Sequence, residues 1–373
     1  MPTTATAPNP HLGRARLLAQ GLLTRPYDSP HAAVAAHGAM QGQDLPGVVA
    51  SAALRVRGGG VEAVIADLDA GRLVRGYPMR GTVFLMAADD VLWVQELCNR
   101  AMLTAQEKRR GNLGLEGEHV EQASELTQRL LADEPRGLER TVLMEHWAEA
   151  GLAPQGGRGY HVLSYLIGRG EVAFGPWNGS DQNVVPRAWL PAASDLEGRF
   201  NGDRVAAAAE LLRRYLTSHG PATLRDFAWW TKLPQREIKP AFALVEPEVE
   251  PFECPGRPTT GGVLDTLWAR PGLSSEVDEV PDHALLLPGF DEFILGYQDR
   301  LFAMTATEHE ALVPGNNGVF RKTMVRDGRV VGTWTRGGRV GARSFETTWF
   351  VRETKKAAGE YQRLFDAFPF PSP

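Results

Sequence analysis

The stretch LVRGYPMRGTVFLMAADD, residues 73–90, is where the hydrophobic period of this chain changes. Upstream the pattern is helical. Residues 14–23 place Leu17, Leu18, Leu22 and Leu23 on one apolar side, and the turn Tyr27-Asp28-Ser29-Pro30 caps a second helix over 31–37. A third runs over 48–56 to Gly58-Gly59-Gly60, and a fourth over 61–69 is closed by Gly71. Within the stretch, Leu73, Val74 and Tyr77, then Thr82, Val83, Phe84 and Leu85, predict two strands around Gly76-Tyr77-Pro78. Helices followed by a two-stranded hairpin is the order of a winged helix-turn-helix.

Between the second and third helices lies Met40-Gln41-Gly42-Gln43-Asp44. Two glutamines around a glycine are poor core material. In an extended segment Gln41 and Gln43 project to the same side, because side chains alternate with period two. In a helix they point roughly 200° apart. A shared role therefore requires a non-helical segment, which Gly42 makes easy. Asp44 before Leu45-Pro46 is placed to cap the next helix.

Downstream the plan repeats. A long helix is expected over 88–109, then helices over 116–132, 141–151 and 161–167, and a short strand over 171–175. A third set occupies 205–218, 224–232 and 234–243. The segments LLADEPRGLERTVLMEHWAEAGL and LLRRYLTSHGPATLRDFAWWTKL share one layout roughly 80 residues apart, as in a duplicated unit. Beyond 262 the pattern is mostly strand: 263–265, 284–287, then 319–326 and 330–334 around Asp327-Gly328, a strong two-residue hairpin signal. A last strand over 343–351 precedes an amphipathic helix over 353–368. The expected fold is α+β, three tandem winged helix-turn-helix units with a β-rich C-terminal part. The units are 11–110 with the Gln-x-Gln segment, 111–200, and 201–373 with the β-rich extension.

With 373 residues the chain can bury a sizeable core. No apolar run approaches the roughly 20 residues that span a bilayer. Residues 1–10 lack the basic and apolar regions of a secretory signal and read as a disordered lead-in. Cys98 and Cys254 are too few for a disulfide framework, which fits a cytoplasmic protein. The nine histidines show no metal-binding spacing and no Gly-rich phosphate loop is present, so neither metal nor cofactor is expected. The net charge of −5 is unevenly spread. Fourteen acids face three arginines over 244–311, whereas eleven basic residues face five acids from 314 to the end. One basic face suffices to bind phosphates.

Four phrases in order, MQGQD, LVRGYPMRGTVFLMAADD, LLPGFDEFILGYQDR and GVFRKTMVRDGRVVGTW, resemble the AlkZ-like family of bacterial winged-helix DNA glycosylases. The resemblance runs from about residue 14 to 350. It implies tandem winged-helix domains arranged as a concave surface around duplex DNA. It also implies excision of alkylated purines, notably N7-alkylguanine, and in some members unhooking of interstrand cross-links. Gln41 and Gln43 match the family's two catalytic glutamines. Gly42 stands where relatives carry a hydrophobic residue, often alanine, and is expected to loosen the backbone and slow the reaction. Phe84 stands where relatives carry histidine.

An N7-alkylated guanine is cationic and leaves without protonation. The remaining task is to place water at the sugar C1′ and stabilise an oxocarbenium-like transition state. A glutamine amide is no strong base, but it can donate to and accept from one water. Asp44 reads as a helix cap, with general base as its alternative; Asp291-Glu292 read as a turn brace, with a catalytic part as the alternative; His161 and Trp229-Trp230 read as packing groups. The expected DNA contacts are Arg55 and Arg57 at the end of the third helix, Arg80 in the first hairpin, and Arg321, Lys322 and Arg336 on the late hairpin. These would reach backbone phosphates, since a repair enzyme must tolerate any sequence. The expected partner is double-stranded DNA with alkylated bases, the expected state a monomer away from membranes. The alternative from another class is a non-catalytic winged-helix DNA-binding regulator.

Overall fold

The computed structural model describes residues 7–256, 262–281, 283–339 and 342–371. Of the expected lead-in, 1–6 lie outside the described residues. Near its end Asn9 accepts from the Leu12 N–H and caps a helix, Pro10–Ala19, whose Pro10 gives up no needed donor. Ser29 and Pro30 start Pro30–His37 in the same way, and Leu45–Ala53 and Val61–Asp69 complete the N-terminal helices.

Strands β1 (Met40–Gln41), β2 (Leu73–Met79), β3 (Thr82–Ala87), β4 (Val172–Trp177) and β5 (Gln182–Pro186) form one antiparallel sheet in the order β1-β3-β2-β4-β5. The two hairpins expected in separate units are thus joined, with Arg75 opposite Phe174. Gly76-Tyr77-Pro78 is not the turn. The turn is Arg80-Gly81, both left-handed at φ +57° and +67°, which is the two-residue geometry that matches strand twist. Gly-Tyr-Pro instead sits in β2 at an irregularity of the ladder, where the proline's missing donor costs little. Gly76 lets Gln95 approach closely: a Cβ there would lie 2.5 Å from Gln95 Oε1 and force that side chain to shift.

The expected helix over 88–109 is broken into Val91–Cys98 and Arg100–Arg109 at Asn99, whose amide donates to the Gly168 carbonyl at 2.6 Å. Next in the chain are helices Gly117–Leu131, Arg140–Glu149 and Arg158–Gly168. The central helix Arg204–His219 buries Leu211, Leu212, Tyr215 and Leu216, and packs with Leu224–Thr231 and Gln235–Val245.

Residues 263–265 form a turn rather than the expected strand; the short ladder there pairs β6 (Glu250–Pro251) with β7 (Trp268–Ala269). Strands β8 (Leu285–Leu287), β9 (Lys322–Arg326), β10 (Arg329–Arg339) and β11 (Ala342–Trp349) make a second antiparallel sheet in the order β11-β10-β9-β8. Asp327 and Gly328 form the β9–β10 turn with φ +47° and +70°, as their sequence predicts. The closing helix Lys355–Asp366 lays Phe365 against Trp334.

The N-terminal and C-terminal parts are tied by a buried ion pair. Arg55 lies at the end of Leu45–Ala53 and is fully enclosed, so it cannot reach a phosphate as expected. Its two terminal nitrogens bind both Asp291 oxygens at 3.0 Å, with further bonds to Ser51 and Gln20. Burial pushes the Asp291 carboxyl up, but Arg55, Ser51 and the Phe293 N–H outweigh it and hold it below its ordinary value. Breaking one partner of such a pair costs about 3–5 kcal/mol because the other charge stays buried. Arg55→Ala is therefore expected to lower stability by about that much in chemical denaturation. The Asp291 contribution should persist above the ordinary carboxyl value near 4 and vanish as pH falls through its lower folded value. A loss below about 1 kcal/mol would contradict this role.

Candidate active site

Gln41 ends β1, paired with Phe84 of β3. Its backbone N–H donates to Glu292 Oε1 at 2.6 Å, a charge-assisted bond in a dry setting, as Glu292 is 1% exposed. The other Glu292 oxygen lies 3.3 Å from both His219 Nε2 and the Trp230 indole N–H. Burial lowers the His219 pKa, with Glu292 opposing. Tyr215 stacks on the His219 ring at 4.7 Å, completing a rigid floor. The brace expected of Asp291-Glu292 is what the two carboxylates provide: Asp291 caps and pairs, and Glu292 holds the glutamine strand.

The Gln41 side chain is itself fixed. Its Oε1 accepts from the Gly42 N–H at 3.0 Å and its Nε2 donates to Thr82 Oγ1 at 3.3 Å. Gln41 is 7% exposed, whereas Gln43 stands exposed on the bend after β1. The segment is non-helical, as a shared role requires, but the two amides are not equally presented. One is nearly enclosed and the other is open.

Gly42 does not loosen this backbone. Its N–H also donates to Val83 O at 2.8 Å, and its carbonyl accepts from Arg75 at 2.9 Å. A Cβ there would come within 2.9 Å of the Leu85 nitrogen, so glycine permits the close approach of β1 to β3. Arg75, absent from the expected site residues, is buried between Gly42, Asp181 and Gln182, with burial lowering its pKa to about 10 against the pull of Asp181. An arginine among strand residues is its one visible signal in the sequence. Phe84 is buried edge-on to Trp230 and supplies no polar group.

Around this centre runs a ribbon of cations on aromatic rings. Arg80 lies 5.0 Å from the Phe84 ring and 4.7 Å from Trp229; Lys232 and Arg300 also stand over Trp229, at 5.4 and 5.1 Å. Arg300 continues onto Phe320 at 4.9 Å, which packs on Phe290. Phe290 is held at φ +63°, a strained conformation for a bulky residue. Trp229 is half-buried, packed against the core as expected while its ring also carries these cations, and Trp230 lies in the core. Among the described residues Arg80, Lys232, Arg300 and Lys322 form no ion pair, and burial lowers the pKa of each. For Lys322, Asp44 opposes the shift. Asp44 itself occupies the cap position of Leu45–Ala53 without a side-chain capping bond.

Of the remaining expected contacts, Arg57 is exposed and pairs with exposed Asp28 at 3.3 Å. Arg321 and Arg336 are exposed, Arg336 over Phe370 at 4.0 Å, and half-buried Lys322 stands over Trp334 at 5.0 Å. No group of three or more His, Cys, Asp or Glu among the described residues is placed to hold a metal. No helix among them is long and apolar enough to cross a membrane.

A model of the DNA glycosylase AlkZ-like family matches residues 34–366. The chain belongs to the AlkZ-like family of DNA glycosylases. It is similar to an interstrand DNA cross-link repair glycosylase of Streptomyces sahachiroi, 26% identical over 303 residues that cover 74% of this chain and 72% of the relative. Its fold is similar to the solved structure of Streptomyces sahachiroi DNA glycosylase AlkZ, with a TM-score of 0.71 at 20% identity, covering 95% of this chain and 94% of that one. Membership of an enzyme family sets aside the reading as a non-catalytic regulator.

Glu292 fixes the Gln41 backbone, so its replacement tests whether this strand end matters to turnover. Glu292→Gln keeps an acceptor but removes the charge, and is expected to stay folded while single-turnover excision falls about tenfold or more. Circular dichroism melting alongside excision kinetics checks this. A variant that melts normally and excises at the wild-type rate would contradict it.

Proposed function

We propose that the enzyme hydrolyses the N-glycosidic bond of N7-alkylguanine-type purines in duplex DNA, through a water held by the amides of Gln41 and Gln43. The single observation that carries this reading is the anchoring of Gln41. Its backbone is held by Glu292 and its amide by Gly42 and Thr82. Those bonds use one lone pair of Oε1 and one N–H of Nε2, leaving one of each for a water. The C1′–N9 bond breaks and its electron pair neutralises the cationic base. Water adds to C1′ and its proton passes to solvent. Glu292 is too enclosed and too fully engaged to be a general base, so the gain comes from positioning.

The name of the Streptomyces relative supports cross-linked DNA as a further substrate. Three winged-helix units at 11–110, 111–200 and 201–373 would embrace the duplex, with the enzyme acting as a monomer. Phosphate contacts are assigned to Arg57, Arg80, Arg321, Lys322 and Arg336, joined by Arg300, which the ribbon on Trp229 brings into the same set.

Gln41→Ala and Gln43→Ala are each expected to slow single-turnover release of 7-methylguanine by about 100-fold while duplex affinity changes little. Wild-type rates in both variants would overturn the assignment. Log affinity against log salt concentration should fall with a slope steeper than about −3, as several phosphate contacts demand. A flat dependence would remove these cations from the interface.

A further inference from the structure

Beside the glutamine site lies a cleft of about 620 Å³, within the range of sites that enclose a small organic ligand. It opens between the Arg80-Gly81 turn, the helix Arg100–Arg109 and the start of the helix Arg158–Gly168. Its floor is apolar, with Cys98, Ala101, Met102 and Ala105. Its rim carries Arg80, Arg109 and Lys232, and no carboxylate lines it. Tyr160, 57% exposed, stands at the wall with its hydroxyl 2.9 Å from that of Tyr77.

Three polar atoms of the lining residues are enclosed behind the cleft wall. Arg80 Nη2, His161 Nε2 and Gln106 Oε1 are buried without a hydrogen-bond partner. Burial, with Arg109 and Arg110, lowers the His161 pKa. The helix Arg158–Gly168 begins here at Gly157 with no side-chain cap, which adds a favourable end for negative charge. An anionic group for the basic rim and the uncapped helix start, a planar ring for the exposed tyrosine wall, and an apolar floor together describe one nucleotide unit. Gly81 of the β2–β3 turn lines the cleft and is bonded to Thr82, which accepts from Gln41, so the cleft adjoins the reacting centre through the start of β3.

We propose that this cleft is a nucleotide subsite that takes one unstacked nucleotide of the bound DNA next to the reacting sugar, its phosphate on Arg109 and Lys232 and its base against Tyr160. Unstacking a base costs a few kcal/mol, and an aromatic platform with a basic rim offsets it. The assignment rests on the glycosylase reading of Gln41 and Gln43 for its position relative to the lesion, but it is tested separately.

The test uses full-length enzyme and 7-methylguanine duplexes carrying one photoreactive 4-thiothymidine at successive positions around the lesion, with cross-linked peptides identified by mass spectrometry. Cross-links from one position to the peptide containing Tyr160 are expected, in wild type and equally in Gln41→Ala. Tyr160→Ala, Arg109→Ala and Lys232→Ala change exposed side chains, and each is expected to weaken lesion-duplex binding about tenfold, the effect of losing one base–aromatic or phosphate contact. Cross-links confined to other peptides, with excision intact and affinity unchanged in the three variants, would overturn the subsite alone. Excision undiminished in Gln41→Ala, with cross-linking to Tyr160 preserved, would overturn the catalytic reading and leave the subsite standing.

Discussion

The structure depends on a single carboxylate bond across the chain. Glu292, 251 residues beyond Gln41, accepts the Gln41 N–H and so fixes where the short strand β1 ends. The neighbouring Asp291 is locked by Arg55, which fastens the loop carrying both carboxylates to the N-terminal helices. A buried carboxylate is costly unless all its acceptor sites are used. Here Gln41, His219 and Trp230 share Glu292, and Arg55, Ser51 and Phe293 share Asp291. The two acids therefore impose geometry on everything they touch.

That geometry explains the asymmetry of the two glutamines. Gln41 is held from below by Glu292, from the side by Thr82, and along its backbone by the close approach that Gly42 allows. Gln43 comes next on the bend, exposed beside Asp44. One amide is thus locked in a single orientation and the other is left open on the same segment. The cation-bearing ring of Trp229 then extends the same surface toward Phe320.

Local chemistry is legible in the sequence where it is local in origin. The helix Val61–Asp69 has the bounds its periodicity predicts, and Asp327-Gly328 makes the turn that its residue types demand. Pattern and resemblance single out Gln41, and the setting of Asp291-Glu292 between aromatics points to their bracing role. Features that depend on distant partners are not legible in this way. Arg55 looks like a surface cation until Asp291, 236 residues on, is placed against it. Gly76-Tyr77-Pro78 carries turn chemistry, yet Gln95 and a ladder irregularity keep it in a strand. Asn99 breaks a helix only because the Gly168 carbonyl lies within reach. Trp229 and Trp230 are neighbours that differ in exposure according to which face of one helix meets the core.

The proposed mechanism requires that this site position water and contribute no proton to the departing base. Single-turnover base release should be compared between two otherwise identical duplexes, one with 7-methylguanine and one with unmodified guanine at the same position. Release of 7-methylguanine with unmodified guanine left at its spontaneous rate is the predicted result. Release of both at comparable rates would require a proton donor acting on the leaving base and would contradict the mechanism.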